Sequence, residues 1–206
     1  MDLSMLQDHV WLLLTLSAAA YLMGSISSAI LTCRALGYPD PRTQGSSNPG
    51  ATNVLRIAGK PAAALTLLGD VLKGVIPVLV ARQLELGNTG AALVGLAAFF
   101  GHLYPVFFEF RGGKGVATAF GLLFVLDWRL GLVTGAAWLL VFLLTRISSL
   151  AALLAFIAMP VAAWWLIPDA LAPLVLLSAV LLLRHQSNIR KLLAREELGF
   201  RAPRDH

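Results

Sequence analysis

Seven apolar blocks, separated by shorter polar stretches, run the length of the chain. They fall at Val10–Thr32, Pro61–Ala81, Gly90–Phe108, Val116–Leu126, Leu130–Leu144, Leu150–Ile167 and Ala170–Leu183. About 20 mainly apolar residues let a helix cross a ~30 Å hydrocarbon core. The first three and the sixth blocks meet or approach that length. The fourth, fifth and seventh are short, and eleven residues such as Val116–Leu126 cover only about half the core at 1.5 Å per residue. The pattern predicts an all-α, polytopic membrane protein with seven transmembrane helices, built as a single domain over residues 1–206. No repeat and no low-complexity tract interrupts it.

Composition strengthens that reading. Hydrophobic residues make up 58% of the 206, charged residues only 13%, and the mean hydropathy is +0.77. A soluble domain carries about 45–50% apolar and 25% charged residues, so one soluble core could not hide this much apolar surface. The net charge of +5 is modest and its basic residues are scattered, which argues against nucleic acid as a partner. Cys33 is the sole cysteine, so no intrachain disulfide forms. The first nine residues hold Asp2 and Asp8 but no Lys or Arg, so they lack the positive start of a cleaved signal peptide.

Orientation follows from the basic residues in the loops. With the N-terminus outside and seven spans threaded, thirteen of the sixteen Lys and Arg fall inside, Arg201 and Arg204 among them. Only Arg82 and Arg129 fall outside, and Lys73 lies within a span. Dropping the fourth span would put the basic C-terminal tail outside. The expected topology is N-terminus out and C-terminus cytoplasmic.

Three polar segments then share the inner face. The first, Arg42–Arg56, is dense in hydroxyls and side-chain amides, which can orient a polyol or a phosphate, and Arg56 offers a bidentate fork. A solvated loop with helix caps explains the same composition equally well. The second, Gly112-Gly113-Lys114-Gly115, precedes the fourth block, where glycines and a helix N-terminus suit an anion. It is not a Walker A loop, since Phe108 stands at the first glycine position and Gly115 at the last position of that motif. A flexible hairpin is the competing reading. The third segment follows the last block, with His185 and Asn188 on one helical face and Arg190 and Lys191 read as a membrane anchor. Inside the second block, Asp70 and Lys73 sit at i, i+3, where an internal ion pair buttressing a site is the favoured reading. His102 and Tyr104 read equally well as interfacial packing.

Some chemistries drop out. The four histidines lack metal-ligand spacing, so neither a metal nor another cofactor is expected. No His-x-x-x-x-Asp acyltransferase motif occurs, and no Gly-x-Ser-x-Gly elbow.

Taken in order, Gly24-Ser25-Ile26, Gly45–Arg56, Gly101-His102 with Pro105-Val106-Phe107, Gly112–Thr118 and Arg184-His185-x-x-Asn188-Ile189 resemble the PlsY family of bacterial integral membrane glycerol-3-phosphate acyltransferases. The resemblance covers nearly the whole chain. It implies seven transmembrane helices in the bacterial inner membrane, with the active site facing the cytoplasm. It implies transfer of an acyl chain from acyl phosphate to the 1-hydroxyl of sn-glycerol 3-phosphate, giving lysophosphatidic acid and phosphate, the first acylation of phospholipid synthesis. It implies catalytic roles for Ser46, Arg56, Lys114, His185 and Asn188. Asn48, Thr52 and Asn53 match the family's polar loop, and Gly112, Gly113 and Gly115 its phosphate-binding glycines. The expected partners are the two substrates and membrane lipid, with the chain working as a monomer. The proton of the attacking hydroxyl goes to His185 or to a substrate phosphate oxygen; the residues leave both open. Ser47 departs from the pattern, because many members carry glycine there, and a positive φ at this position would strain serine.

Two rival classes place their polar groups differently. A secondary transporter would set them near the midplane with inverted repeats, and a scaffold would not need Gly-Gly-Lys-Gly beside His and Asn.

Overall fold

The computed structural model describes residues 3–197 and 199. Arg201 and Arg204, which the charge count assigns to the inner face, lie outside the described residues. Helices are α1 (Leu3–Gly24), α2 (Ser28–Ala35), α3 (Ala51–Gln83), α4 (Gly87–Leu103), α5 (Val116–Leu126), α6 (Trp128–Thr145), α7 (Ser148–Leu166), α8 (Leu171–Arg184) and α9 (Gln186–Leu193). No strand occurs among the described residues.

Among the described residues, five stretches are long and apolar enough to cross a membrane: His9–Ala35, Ala51–Gln83, Gly87–Phe108, Trp128–Thr145 and Ser148–Leu166. A sixth arises if Pro168–Arg184 and Gln186–Leu193, bent by 55°, count as one broken span. The fourth expected block is a helix with the predicted bounds, Val116–Leu126, but it is short. Its end is explained by Arg82, which donates to the Val125 carbonyl at 2.9 Å and to that of Leu126, satisfying carbonyls that a helix terminus leaves open. Asp127 then caps α6 by accepting from Arg129 N at 2.8 Å. Arg82 and Arg129, the two expected outer cations, thus meet at one end of the molecule.

Large apolar side chains face outward on many helices, with Leu14, Leu65, Leu140, Val161 and Trp165 all exposed. The multi-pass membrane reading explains why these residues need no protein partner. The core lies between α4, α5, α7 and α8, around Phe99, Leu122, Leu123, Phe156, Leu174 and Leu177. Close helix approach depends on glycine, as membrane packing favours. A Cβ on Gly101 would lie 2.2 Å from the Tyr21 carbonyl, which sets α4 against α1; one on Gly74 would lie 2.1 Å from the Thr118 carbonyl, which sets α3 against α5.

Two breaks position the polar segments. Between α1 and α2 the chain turns at Ser25–Ser27, where Ser27 caps α2. Within α3 the helix is interrupted at Gly59 (φ 79°), just before Pro61, where the sequence places the start of the second span. The first two turns of α3, Ala51–Ala58, are therefore a separate segment that carries Thr52, Asn53 and Arg56.

Candidate active site

Loop residues 36–50 hold their shape through three side chains. Asp40 accepts from Arg42 Nε at 3.1 Å and Nη2 at 2.8 Å, and these hydrogen bonds keep its carboxyl below the usual carboxylate range. Arg42 also donates to the Phe108 carbonyl at 3.1 Å, tying this loop to the turn after α4. Asn53, fully buried, accepts from Ser46 N at 2.9 Å and donates to the carbonyls of Pro41 and Gln44 at 2.9 and 3.0 Å. All of these bonds go to the loop backbone, and Asn53 also borders the cavity described below. Ser47 takes φ 56°, the left-handed conformation that the sequence comparison singles out as strained for serine.

Gly112–Gly115 forms a strap into α5. Gly112 N donates to the Leu103 carbonyl at 3.2 Å and Gly113 N to that of His102 at 3.1 Å. Both amides are thus already paired with backbone carbonyls. Glycine is required by close approach, since a Cβ on Gly112 would lie 2.0 Å from the His102 carbonyl oxygen. Arg184 grips the strap from α8, its Nη2 donating to the Gly112 and Gly113 carbonyls at 3.0 and 3.1 Å. Its guanidinium stacks over Tyr104 at 5.2 Å. Gly115 (φ 80°) turns the chain into α5, whose first-turn amides have no intrahelical acceptor.

Around these pieces lies a cavity of about 720 Å³. Its polar lining includes Ser46, Asn48, Thr52, Arg56, Lys114, His185 and Asn188, and its apolar lining includes Ala63, Leu67, Phe120, Trp138, Phe142 and Ala152. The structure thus brings all five residues expected to be catalytic to one wall system. Gly112 and Gly115 border the cavity and Gly113 does not.

Burial pushes Lys114 down to about 8, against the pull of Glu197 and with the help of the Lys191, Arg56 and Arg184 cations. His185 is buried, and its Nδ1 donates to the Leu181 carbonyl at 2.8 Å, so a neutral ring carries its lone pair on Nε2. Asn188 lies one turn on, its Nδ2 donating to Glu197 Oε1 at 2.6 Å, and the same oxygen accepts from Ser149 Oγ at 2.6 Å.

Arg184, Lys191, Glu197 and Ser149 also line the cavity, and the sequence reading gave none of them a place in the site. Lys191 in particular borders the cavity and is not only a membrane anchor. Asp70 and Lys73 do pair, at 2.8 Å, and Asp70 and His102 lie at the cavity wall. Among the described residues, no three His, Cys, Asp or Glu side chains gather as a metal site.

Fold and cavity together define a multi-pass membrane protein with a cavity lined by both cationic and apolar side chains. Over residues 14–195 the chain matches the glycerol-3-phosphate acyltransferase family, and it belongs to that family of acyltransferases of phospholipid synthesis. It is 55% identical over 192 residues to a glycerol-3-phosphate acyltransferase of Pseudomonas paraeruginosa, covering 93% of this chain and 100% of the relative. It is 50% identical over 196 residues to one of Methylococcus capsulatus, covering 94% and 98%. Crystal structures of PlsY, described as an integral membrane glycerol 3-phosphate acyltransferase, superpose closely. Its glycerol 3-phosphate form gives a TM-score of 0.87 at 38% identity, covering 92% of this chain and 96% of that one. Its lysophosphatidic acid form gives 0.84 at 37%, covering 91% and 94%.

Proposed function

We propose that this chain transfers an acyl group from acyl phosphate to the 1-hydroxyl of sn-glycerol 3-phosphate, releasing 1-acyl-glycerol 3-phosphate and inorganic phosphate. The observation that carries the reading is the cavity's mixed lining. Arg56, Lys114 and Lys191 border it, which suits two phosphorylated substrates, and Leu67, Phe120, Trp138 and Phe142 border the same space, which suits an acyl chain.

The hydroxyl oxygen attacks the acyl carbonyl carbon, the bond from that carbon to the phosphate oxygen breaks, and phosphate leaves. Its leaving-group quality removes the need for an enzyme nucleophile. Arg56 holds the glycerol 3-phosphate phosphate through its planar fork. Lys114 stabilises charge on the departing phosphate, together with the first amides of α5. Ser46, Asn48 and Thr52 supply hydrogen bonds to the glycerol and phosphate oxygens, and Asn53 acts by holding their loop. The hydroxyl proton goes to His185 Nε2 or to a phosphate oxygen of the substrate. Asn188 sits beside His185 to orient the reacting groups.

Topology in this account is seven spans in the bacterial inner membrane, with α5 and α8 as the short fourth and seventh. The N-terminus is outside and the cavity opens to the cytoplasm. Its support is the gathering of Arg56, Lys114, Arg184 and Lys191 at one end and of Arg82 and Arg129 at the other. The working unit in this account is a monomer.

Kinetics of three variants test the roles. Arg56→Lys keeps the charge and loses the fork; losing one charge-assisted hydrogen bond of about 1.5–3 kcal/mol raises KM for glycerol 3-phosphate about 10- to 150-fold. Lys114→Ala lowers kcat. Arg190 is exposed and does not border the cavity, so Arg190→Ala stays close to wild type. Equal harmlessness of Lys114→Ala and Arg190→Ala would sink the assignment.

A further inference from the structure

Beside the cavity lies a buried row of ionisable groups that the acyl-transfer chemistry leaves unused. Lys73 Nζ meets Asp70 Oδ1 at 2.8 Å and donates to the Ile26 carbonyl at 3.2 Å, in the break between α1 and α2. His102 Nδ1 lies 3.5 Å from the same Asp70 oxygen. The Lys73, Asp70 and His102 side chains are at most 5% exposed. Three ionisable groups at membrane depth are costly, and apolar residues of similar volume would pack there with less desolvation. What the row supplies is a fixed place for the His102 ring.

That ring supports the strap. A Cβ on Gly113 would lie 2.2 Å from His102 Nε2, so the glycine backbone rests directly against the imidazole. The His102 carbonyl accepts from Gly113 N at 3.1 Å, and Arg184 holds the Gly113 carbonyl from α8. Gly113 is thereby pinned by α4 and by α8, and Lys114 is the next residue. We propose that His102, oriented by Asp70 and Lys73, is a positioning residue for the strap: its ring sets where Gly113, and hence the Lys114 ammonium, comes to rest in the cavity. The kinetic part of this inference depends on the acyl-transfer reading; the contact itself does not.

The test is a cycle of Gly113→Ala, His102→Ala and the double variant, read in purified full-length protein as kcat and as apparent unfolding temperature in detergent, with Asp70→Asn added. Gly113→Ala is expected to cost about tenfold or more in kcat, because the new methyl has no room against the ring. Removing the ring makes that room, so the double variant equals or exceeds Gly113→Ala in kcat, where independent losses would multiply. Asp70→Asn keeps the volume and loses the charge that orients the ring; it lowers kcat about fivefold while the unfolding temperature moves by less than about 3 °C. Multiplying losses in the double variant, or Asp70→Asn within twofold of wild type, overturns the proposal. If Gly113→Ala does not fold, recovery of a folded double variant supports the contact and its failure to fold refutes it. If the wild type shows no acyl transfer, that reading falls separately. The unfolding temperatures then decide, with the double variant above Gly113→Ala for the contact and below it against.

Discussion

Ser47 holds φ at 56°, a conformation that costs an L-residue about 1–2 kcal/mol relative to the right-handed region. Glycine would remove that cost and return part of it through a more flexible unfolded chain, about 0.4–1 kcal/mol. Ser47→Gly is expected to gain up to about 1 kcal/mol and raise the apparent unfolding temperature in detergent by about 2–4 °C. An unchanged or lower temperature would mean that the loop relaxes around serine at no cost. Asn53 shows a limit of the sequence at the same scale. Its amide among Ser, Thr and Asn suggests a ligand contact, and only the fold reveals that it bonds Ser46, Pro41 and Gln44. A polar side chain in a loop looks the same from sequence whether it faces a ligand or its own backbone.

At the scale of elements, the strap and α5 act as one unit. The charge of Lys114 depends on burial, which brings its pKa to about 8. The cation is present below that value and is lost as pH rises through it. Free-enzyme groups appear in kcat/KM. A plot of kcat/KM against pH is therefore expected to fall on the alkaline side with an apparent pKa near 8, approaching a tenfold loss per pH unit. Lys114→Arg, whose guanidinium stays charged, removes that limb from the activity it retains. A profile flat to about pH 9.5 in the wild type, or an unchanged limb in Lys114→Arg, would contradict the role of the cation. Local signals revealed much of this unit: Gly115 and Asp127 bracket α5 at the expected residues. What they hid is longer range. Arg82 closing α5 from α3 and Arg184 gripping the strap from α8 are contacts across 44 and 72 positions, and neither leaves a trace in local periodicity.

At the scale of the molecule, every one of the seven apolar blocks overlies a helix, because burial in lipid imposes apolar runs that sequence displays directly. The bend at His185 and the separate α9 were not legible, since a polar helix after a span resembles a tail. Neither was Glu197, whose carboxylate reaches back to Asn188 and Ser149 through folding alone. The two cations of the account, Arg56 on α3 and Lys114 before α5, lie 58 residues apart in sequence and share one cavity with Leu67, Phe120 and Phe142. That shared cavity supports acyl phosphate as the proposed donor, since its cationic lining suits a phosphate and its apolar lining suits a chain. The most direct measurement is turnover by purified protein in detergent, with glycerol 3-phosphate as acceptor and the donor varied at equal acyl-chain length. The account predicts 1-acyl-glycerol 3-phosphate from acyl phosphate and little product from acyl-coenzyme A or acyl-carrier protein. Comparable rates from a thioester donor would contradict it.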